Sequence, residues 1–270
     1  MKKNISGFSS QRRRLGRPWL LLAATACATG GCASQVSRFE PGTVDKPHIE
    51  TFAFTMANAF LIYGERAVLV DSGSNGSADD LVETLTKAGI RKGDLALIVL
   101  THGHADHAGG AKRVHDQWGA PIAVGKDDVA MVEAGHNREL HPMFFFARLL
   151  RPFVDRPFTG FKPDIEVSGR LDLTPYGVAG VVNSAPGHTP GTLLVELPGG
   201  DAFVGDLMLG GYLGGAMMAD KPDTHYFHDD QSAAERRICE VLDRGAKRLF
   251  LGHGGPITAE AARARFCATR

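Results

Sequence analysis

Three imidazoles and a carboxylate fall within six residues in Thr101-His102-Gly103-His104-Ala105-Asp106-His107. They follow the apolar run 95–100, which reads as a buried strand, and precede Ala108-Gly109-Gly110-Ala111, which opens a helix-like segment. The cluster therefore belongs at the carboxyl end of a strand, where open α/β sheets place their chemistry. His102 and His104, two apart in extended backbone, point to one side. Asp106 and His107 can converge from the helix start. A borderline cation such as zinc takes this nitrogen and oxygen donor set. The competing reading is a solvated turn rich in histidine, and the later part of the chain argues against it by supplying matching donors.

His188 lies in Ala185-Pro186-Gly187-His188-Thr189-Pro190-Gly191, between apolar strands at 178–182 and 192–196. Asp206 ends the run Ala202-Phe203-Val204-Gly205. His253 follows Arg248-Leu249-Phe250-Leu251-Gly252 and precedes Gly254-Gly255-Pro256. Each is a potential ligand just past a short hydrophobic strand, with glycine nearby to let backbone approach. Any one alone reads as a turn residue. The repeated arrangement does not.

The order His-x-His-x-Asp-His, then His188, Asp206 and His253, resembles the metallo-β-lactamase-fold hydrolase superfamily. Asn58-Ala59-Phe60-Leu61-Ile62 and Val70-Asp71-Ser72-Gly73 match its first strands, so the resemblance covers residues 47–256. It implies an α/β fold, a four-layer αββα sandwich. Two ligand sets can be assembled: His102, His104 and His188 for one divalent metal ion, Asp106, His107 and His253 for another. Asp206 has two oxygens and can bridge. Zinc is the first expectation, with iron or manganese also compatible. Two such ions about 3.5–4 Å apart can share a hydroxide that attacks the substrate. Asp106 can orient that nucleophile and shuttle its proton. Asp71 is either the residue that holds the Ser72-Gly73 turn or, as the resemblance implies, an acceptor that fixes the tautomer of a metal-bound histidine.

The bridging Asp206 resembles the glyoxalase II, lactonase and phosphodiesterase branches, because β-lactamases of this fold usually lack an acidic bridge there. Fewer than twenty residues follow His253, which departs from the helical domain that glyoxalase II carries at that point. Acyl-homoserine lactonases place a tyrosine three residues after the bridging aspartate; Leu209 stands there, and the nearest tyrosine is Tyr212. The expectation is a metal-dependent hydrolase that cleaves an ester, lactone, thioester or amide of a small molecule. The competing class is an oxidoreductase similar to mononuclear-iron persulfide dioxygenases, whose ligands are a subset of these. A third class is a non-catalytic envelope lipoprotein that uses the fold for binding; the intact donor set argues against it.

The elements around the site must come from a chain of 270 residues, 43% hydrophobic and 22% charged, with zero formal net charge. That composition supports one sizeable core. Balanced charge gives no electrostatic reason to expect nucleic acid. Lys2, Lys3 and Arg12-Arg13-Arg14, the short apolar run 19–28 and Thr29-Gly30-Gly31-Cys32-Ala33-Ser34 lay out a secretory signal over 1–32. Gly31-Cys32-Ala33 resembles a bacterial lipoprotein cleavage site, with Cys32 as the lipid attachment and membrane anchor; Thr29 departs from the usual leucine, and Cys27 competes. Gln11-Arg12-Arg13-Arg14-Leu15 also resembles a twin-arginine signal. A polar tether over 33–46 would then lead to the catalytic domain at 47–270.

Within that domain, 59–63 and 67–70 read as a hairpin, 77–88 as a covering helix with Leu81, Val82, Leu85 and Ala88 at helical spacing, and 109–118 as another helix. The apolar stretch 141–150 is a packed insertion, a hydrophobic lid over the cleft, or a surface lying on a bilayer. His136 and His141 lack the strand-end setting and are bystanders. The irregular stretch 207–229 offers Tyr212, Met217, Met218, His225, Tyr226 and His228 as pocket residues, with Tyr212, His225 and Tyr226 the candidates to bind substrate. Helices are predicted at 232–242, with Asp229-Asp230 as caps, and at 259–266. Cys239 and Cys267 are expected as two buried free thiols, a disulfide between them being the alternative.

Overall fold

Runs of apolar residues with no polar alternation demand strands covered on both faces, and the computed structural model supplies that cover. It describes residues 42–54 and 57–268; the signal over 1–32, Cys32 and the start of the tether lie outside them. The first sheet takes β1 (His48–Ala53), β2 (Asn58–Tyr63), β3 (Ala67–Val70), β4 (Leu95–Val99), β5 (Ile122–Gly125) and β6 (Ile165–Val167) in that order. β1 to β3 pair antiparallel, and β3 to β6 pair parallel. Between these strands run α1 (Ala78–Lys87), α2 (Ala105–Ala108), α3 (Ala111–Trp118), α4 (Val129–Ala134) and α5 (Phe145–Val154).

The second half begins with β7 (Arg170–Asp172), β8 (Val181–Ser184), β9 (Leu193–Glu196) and β10 (Asp201–Gly205). A hairpin of β11 (Leu209–Tyr212) and β12 (Met217–Asp223) follows, then α6 (Gln231–Asp243), β13 (Arg248–Leu251), β14 (Ile257–Thr258) and α7 (Ala259–Phe266). The second sheet has the order β14-β13-β10-β9-β8-β7, with β10 and β13 parallel. Asp230 caps α6, its Oδ1 accepting the Ala233 N–H at 2.8 Å.

Strand periodicity sorts the side chains into layers. On β2, Ala59, Leu61 and Tyr63 pack with Leu81, Leu85, Val114 and Trp118 of α1 and α3, while Phe60 and Ile62 face the other sheet. There they meet Leu193, Val195, Phe203 and Phe250, with Phe60 and Phe203 ring centroids 5.1 Å apart. The outer face of the second sheet carries Leu194, Ala202, Val204 and Leu251 under Ile238, Val241 and Phe266 of α6 and α7. Each fully buried side chain of this size contributes roughly 1.5–3 kcal/mol. The result is the expected four-layer αββα sandwich.

Some expectations need correction. The helix read at 109–118 starts two residues later, as α3 at Ala111, with Gly109-Gly110 separating it from the short α2; a Cβ on Gly110 would collide with the Ser72 carbonyl. The stretch 207–229 is not irregular throughout, since β11 and β12 pair within it. Residues 42–46, assigned to the tether, are already fastened to the domain: Gly42 N–H donates to the Gly64 carbonyl at 2.7 Å and Ala179 N–H to the Val44 carbonyl at 2.9 Å.

The cysteines also differ from expectation. Cys239 and Cys267 are not free thiols but a disulfide, with Cα atoms 5.9 Å apart, inside the range a bridge requires. The pairing depends on α6 and α7 packing side by side on the second sheet, which spacing in sequence does not reveal. Closing a loop of 28 residues should add about 3 kcal/mol. Reduction, or the Cys239→Ser/Cys267→Ser double variant, is expected to lower the unfolding free energy from urea denaturation by that amount, seen as a lower midpoint; an unchanged midpoint in both would refute the linkage.

Candidate metal centre

Parallel pairing sets strand ends side by side, and the site is built on those ends. β3 delivers Asp71, β4 delivers the loop with His102 and His104, and α2 delivers Asp106 and His107. β10 and β13, parallel neighbours, deliver Asp206 and His253 together, while the turn between β8 and β9 supplies His188. Gly252 is required here: a Cβ on it would collide with Asp206 Oδ1 and the His107 ring.

The structure brings together all seven sequence-predicted donors. His102, His104 and His188 have donor atoms within 4.8 Å of one another, as do Asp106, His107 and His253. His188 Nε2 lies 3.0 Å from His104 Nδ1. Asp206 Oδ2 stands between the two groups, 3.8 Å from His102 Nε2, 3.7 Å from His188 Nε2, 3.4 Å from His107 Nε2 and 3.2 Å from His253 Nε2. Asp106 Oδ2 is 3.3 Å from His253 Nε2. An arrangement of this kind can hold one or two cations.

Whether these residues suit a cation is tested by their unpaired atoms. His102 Nε2, His107 Nε2 and Asp206 Oδ1 are buried with no hydrogen-bond partner. A buried polar atom left unpaired costs on the order of 1–3 kcal/mol, more for charged groups. A cation at the centre would satisfy such atoms. The donor set fits.

Electrostatics divides the cluster. Burial pushes His102 and His188 well below the usual imidazole range, aided by neighbouring imidazoles, and burial also lowers His104. Burial thus favours the neutral form of these three rings, the form in which an imidazole nitrogen can bind a cation. Burial opposes charge on His253 too, but Asp206 and Asp106 overcome it and raise the ring to about 10. His107 is raised in the same way by Asp206 and Asp71. Asp106 and Asp206 are held below the usual carboxylate range by facing imidazoles despite their burial.

Asp71 takes the orienting role and not merely that of a turn residue. Its Oδ2 lies 2.9 Å from His107 Nδ1, and its carboxylate accepts the Thr101 N–H at 2.7 Å and the Thr101 hydroxyl at 2.8 Å. Bonded to Asp71, Nδ1 carries the proton and Nε2 is left to face the cluster. His188 is fixed likewise, with Nδ1 donating to the Phe227 carbonyl at 2.9 Å.

Sequence reasoning missed Asp128, Asn137 and the full part of His225. Asp128, fully buried, accepts the Gly103 N–H at 2.9 Å, the Thr189 hydroxyl at 2.7 Å and the Gly191 N–H at 3.0 Å. It thereby ties the His102–His104 loop to the His188 loop. Its position shortly past β5 is the same strand-end signal that marked the ligands. Asn137 Oδ1 accepts the Ala105 N–H at 2.8 Å and anchors α2. His225 was expected at the substrate; its Nε2 lies 3.2 Å from Asp206 Oδ2, and with His188 and Asp206 it forms another group that could hold a cation.

A cleft of about 290 Å³ opens onto His104, Asp106, Asp206, His225 and His253, and Tyr226 lines it. Tyr212 does not line it; its side chain is exposed at the hairpin, its hydroxyl 2.5 Å from Lys221 Nζ. His136 and His141 stay outside the cluster, His141 facing Asp229 at 2.9 Å.

The fold has a counterpart in known proteins. Residues 53–253 match the metallo-beta-lactamase superfamily, and the chain belongs to that family. It is similar to "Probable metallo-hydrolase YflN" of Bacillus subtilis (strain 168), at 25% identity over 72% of this chain and 77% of that protein. It is 31% identical to the hydroxyacylglutathione hydrolase of Anaeromyxobacter dehalogenans (strain 2CP-C) over 52% of this chain, spanning 41% of that relative's length. Among solved structures, the BLEG-1 B3 metallo-beta-lactamase superposes with a TM-score of 0.59 at 21% identity, covering 82% of this chain and 98% of that one. BJP-1, a subclass B3 metallo-beta-lactamase of Bradyrhizobium japonicum, gives 0.53 at 19% identity, covering 81% and 79%. Those two likenesses show the fold alone. Family membership and the donor groups together support a metal-dependent hydrolase.

Asp71→Ala would leave His107 Nδ1 and the Thr101 N–H buried without the Asp71 carboxylate as partner. Zinc affinity, read by competition with a chromogenic chelator, should fall roughly 10–100-fold; unchanged affinity would remove the orienting role.

Proposed function

We propose that the protein is a di-metal hydrolase, with zinc the favoured ion, that cleaves an ester, lactone, thioester or amide of a small molecule. His102, His104 and His188 would hold one cation, Asp106, His107 and His253 the other, and Asp206 would bridge. Two cations held there would supply Lewis acidity for the substrate oxygen and a water whose pKa is lowered to about 7, the nucleophile. The observation that carries this reading is the approach of Asp206 Oδ2 to imidazoles of both groups, 3.7 Å from His188 and 3.2 Å from His253. Asp106 borders the cleft and sits beside His253, so its carboxylate can orient the attacking water and take its proton. His225, with Nε2 3.2 Å from Asp206 Oδ2 and its ring stacked on that of His253, steadies the Asp206 carboxylate. Asp71 and Asp128 touch no substrate and position the rings and loops that do.

The test is metal content together with turnover. The protein should carry two zinc ions per chain and hydrolyse members of a panel of lactones, thioesters, esters and β-lactams, with His104→Ala and Asp206→Ala folded but reduced by at least about 10³-fold. One iron per chain with oxygen uptake, or full activity in either variant, would contradict the hydrolase reading.

We also propose export to the cell envelope with a lipid anchor at Cys32. The basic leader, the short apolar run and Gly31-Cys32-Ala33 support it, and the Cys239–Cys267 bridge suits an oxidising compartment. Cys32→Ser should move the protein from the membrane fraction to the soluble fraction, and unchanged fractionation would remove the anchor.

A further inference from the structure

The cleft has a reactive floor and an apolar wall. Its floor is the His and Asp cluster; its wall is Leu140, Leu150, Val154, Leu209, Leu213 and Phe227, drawn from α5, the segment before it and the hairpin region. Among the described residues, no lysine or arginine lines it. The few polar side chains in the wall are already engaged within the protein. Asn137 accepts from Ala105 N–H and donates its amide to the Val154 carbonyl at 3.3 Å, and the Tyr226 hydroxyl accepts the Leu213 N–H at 3.0 Å. A phosphate, sulfate or free carboxylate on the substrate would therefore enter a site whose only charged groups are those of the cluster, with no cation on the wall to receive it.

The apolar lining continues outward. Leu213 is both part of the wall and 60% exposed, and α5, which turns Leu150 and Val154 to the cleft, leaves Phe145, Phe146 and Leu149 exposed. Exposed apolar surface of this extent beside a cleft marks a ligand or interaction site.

Resting on the hydrolase reading, we infer that the substrate is an uncharged acyl compound whose aliphatic chain lies along the wall of Leu140, Leu150, Val154 and Leu213 while its carbonyl sits at the cluster. The chain supplies binding energy remote from the reacting bond, and the cluster supplies the chemistry. Hydrolysis then adds water across the acyl bond: the water oxygen joins the carbonyl carbon, the bond to the leaving heteroatom breaks, and that heteroatom takes a proton.

A homologous series reads chain recognition apart from turnover. Acetohydroxamate, hexanohydroxamate and decanohydroxamate would be titrated into the zinc-loaded protein by calorimetry, and the uncharged alcohols butanol, hexanol and decanol into the metal-free protein. Affinity should rise about three- to four-fold per methylene until the cleft is filled. Leu150→Lys should flatten that rise without weakening acetohydroxamate. Leu213→Asp, at an exposed turn whose φ of +53° aspartate tolerates, should do the same should Leu150→Lys fail to fold. Affinity independent of chain length in the wild-type protein, or an undiminished rise in Leu213→Asp, would overturn the inference. Chain-dependent binding without cleavage of any ester would keep the acyl cleft and remove the hydrolase reading.

Discussion

Buried charge has to be matched, and this protein concentrates its buried charge in one place. Asp71 and Asp206 are at most 1% exposed, among His102, His107 and His188, which are no more accessible. Carboxylates without counter-charge would cost several kcal/mol apiece in such surroundings. The facing carboxylates favour charge on His107 and His253, while burial favours the neutral form of His102, His104 and His188. His102 Nε2, His107 Nε2 and Asp206 Oδ1 remain buried in the cluster without a hydrogen-bond partner. Cations there would answer both the charge and the missing partners, which is why the same cluster that strains the interior can serve chemistry.

Such a cluster survives only on a frame that leaves it no way to relax. The two sheets provide that frame, since parallel neighbours β3 and β4 in one, and β10 and β13 in the other, end at the same edge. The Leu193 N–H to Thr101 carbonyl bond, at 2.6 Å, joins the two sheets beside the site. Asp128 adds a second tie, holding Gly103 of one loop and Thr189 and Gly191 of another on one carboxylate. Asp71 sits at φ +59°, a backbone conformation uncommon outside glycine, and its three hydrogen bonds over-determine it there.

Much of this was legible in the sequence because strand ends announce themselves locally. An apolar run followed by His or Asp and a glycine marks His188, Asp206 and His253, the dense run 102–107 marks the other four candidates, and the orienting role of Asp71 follows from the family resemblance. The four-layer arrangement followed from the family resemblance together with strands apolar on both faces. What escaped depended on contacts between segments far apart in the chain. Asp128 follows the strand β5, but only the approach of Thr189 and Gly191 makes it a tie between loops. His225 lies in a glycine- and methionine-rich stretch with no periodicity, so its approach to Asp206 has no local signature. Tyr212 was drawn to the site by proximity in sequence, yet the turn of the hairpin carries it to solvent. The disulfide was missed for the same reason, since helix packing and not spacing brings Cys239 to Cys267.

The account stands on cations occupying the donor cluster, and diffraction can locate them directly. Anomalous difference density from crystals of the zinc-loaded protein, collected on either side of the zinc edge, should show two peaks. One is expected about 2.0–2.2 Å from His102, His104 and His188, the other within the same reach of Asp106, His107 and His253. A cluster with no peak, or zinc bound only elsewhere on the surface, would contradict it.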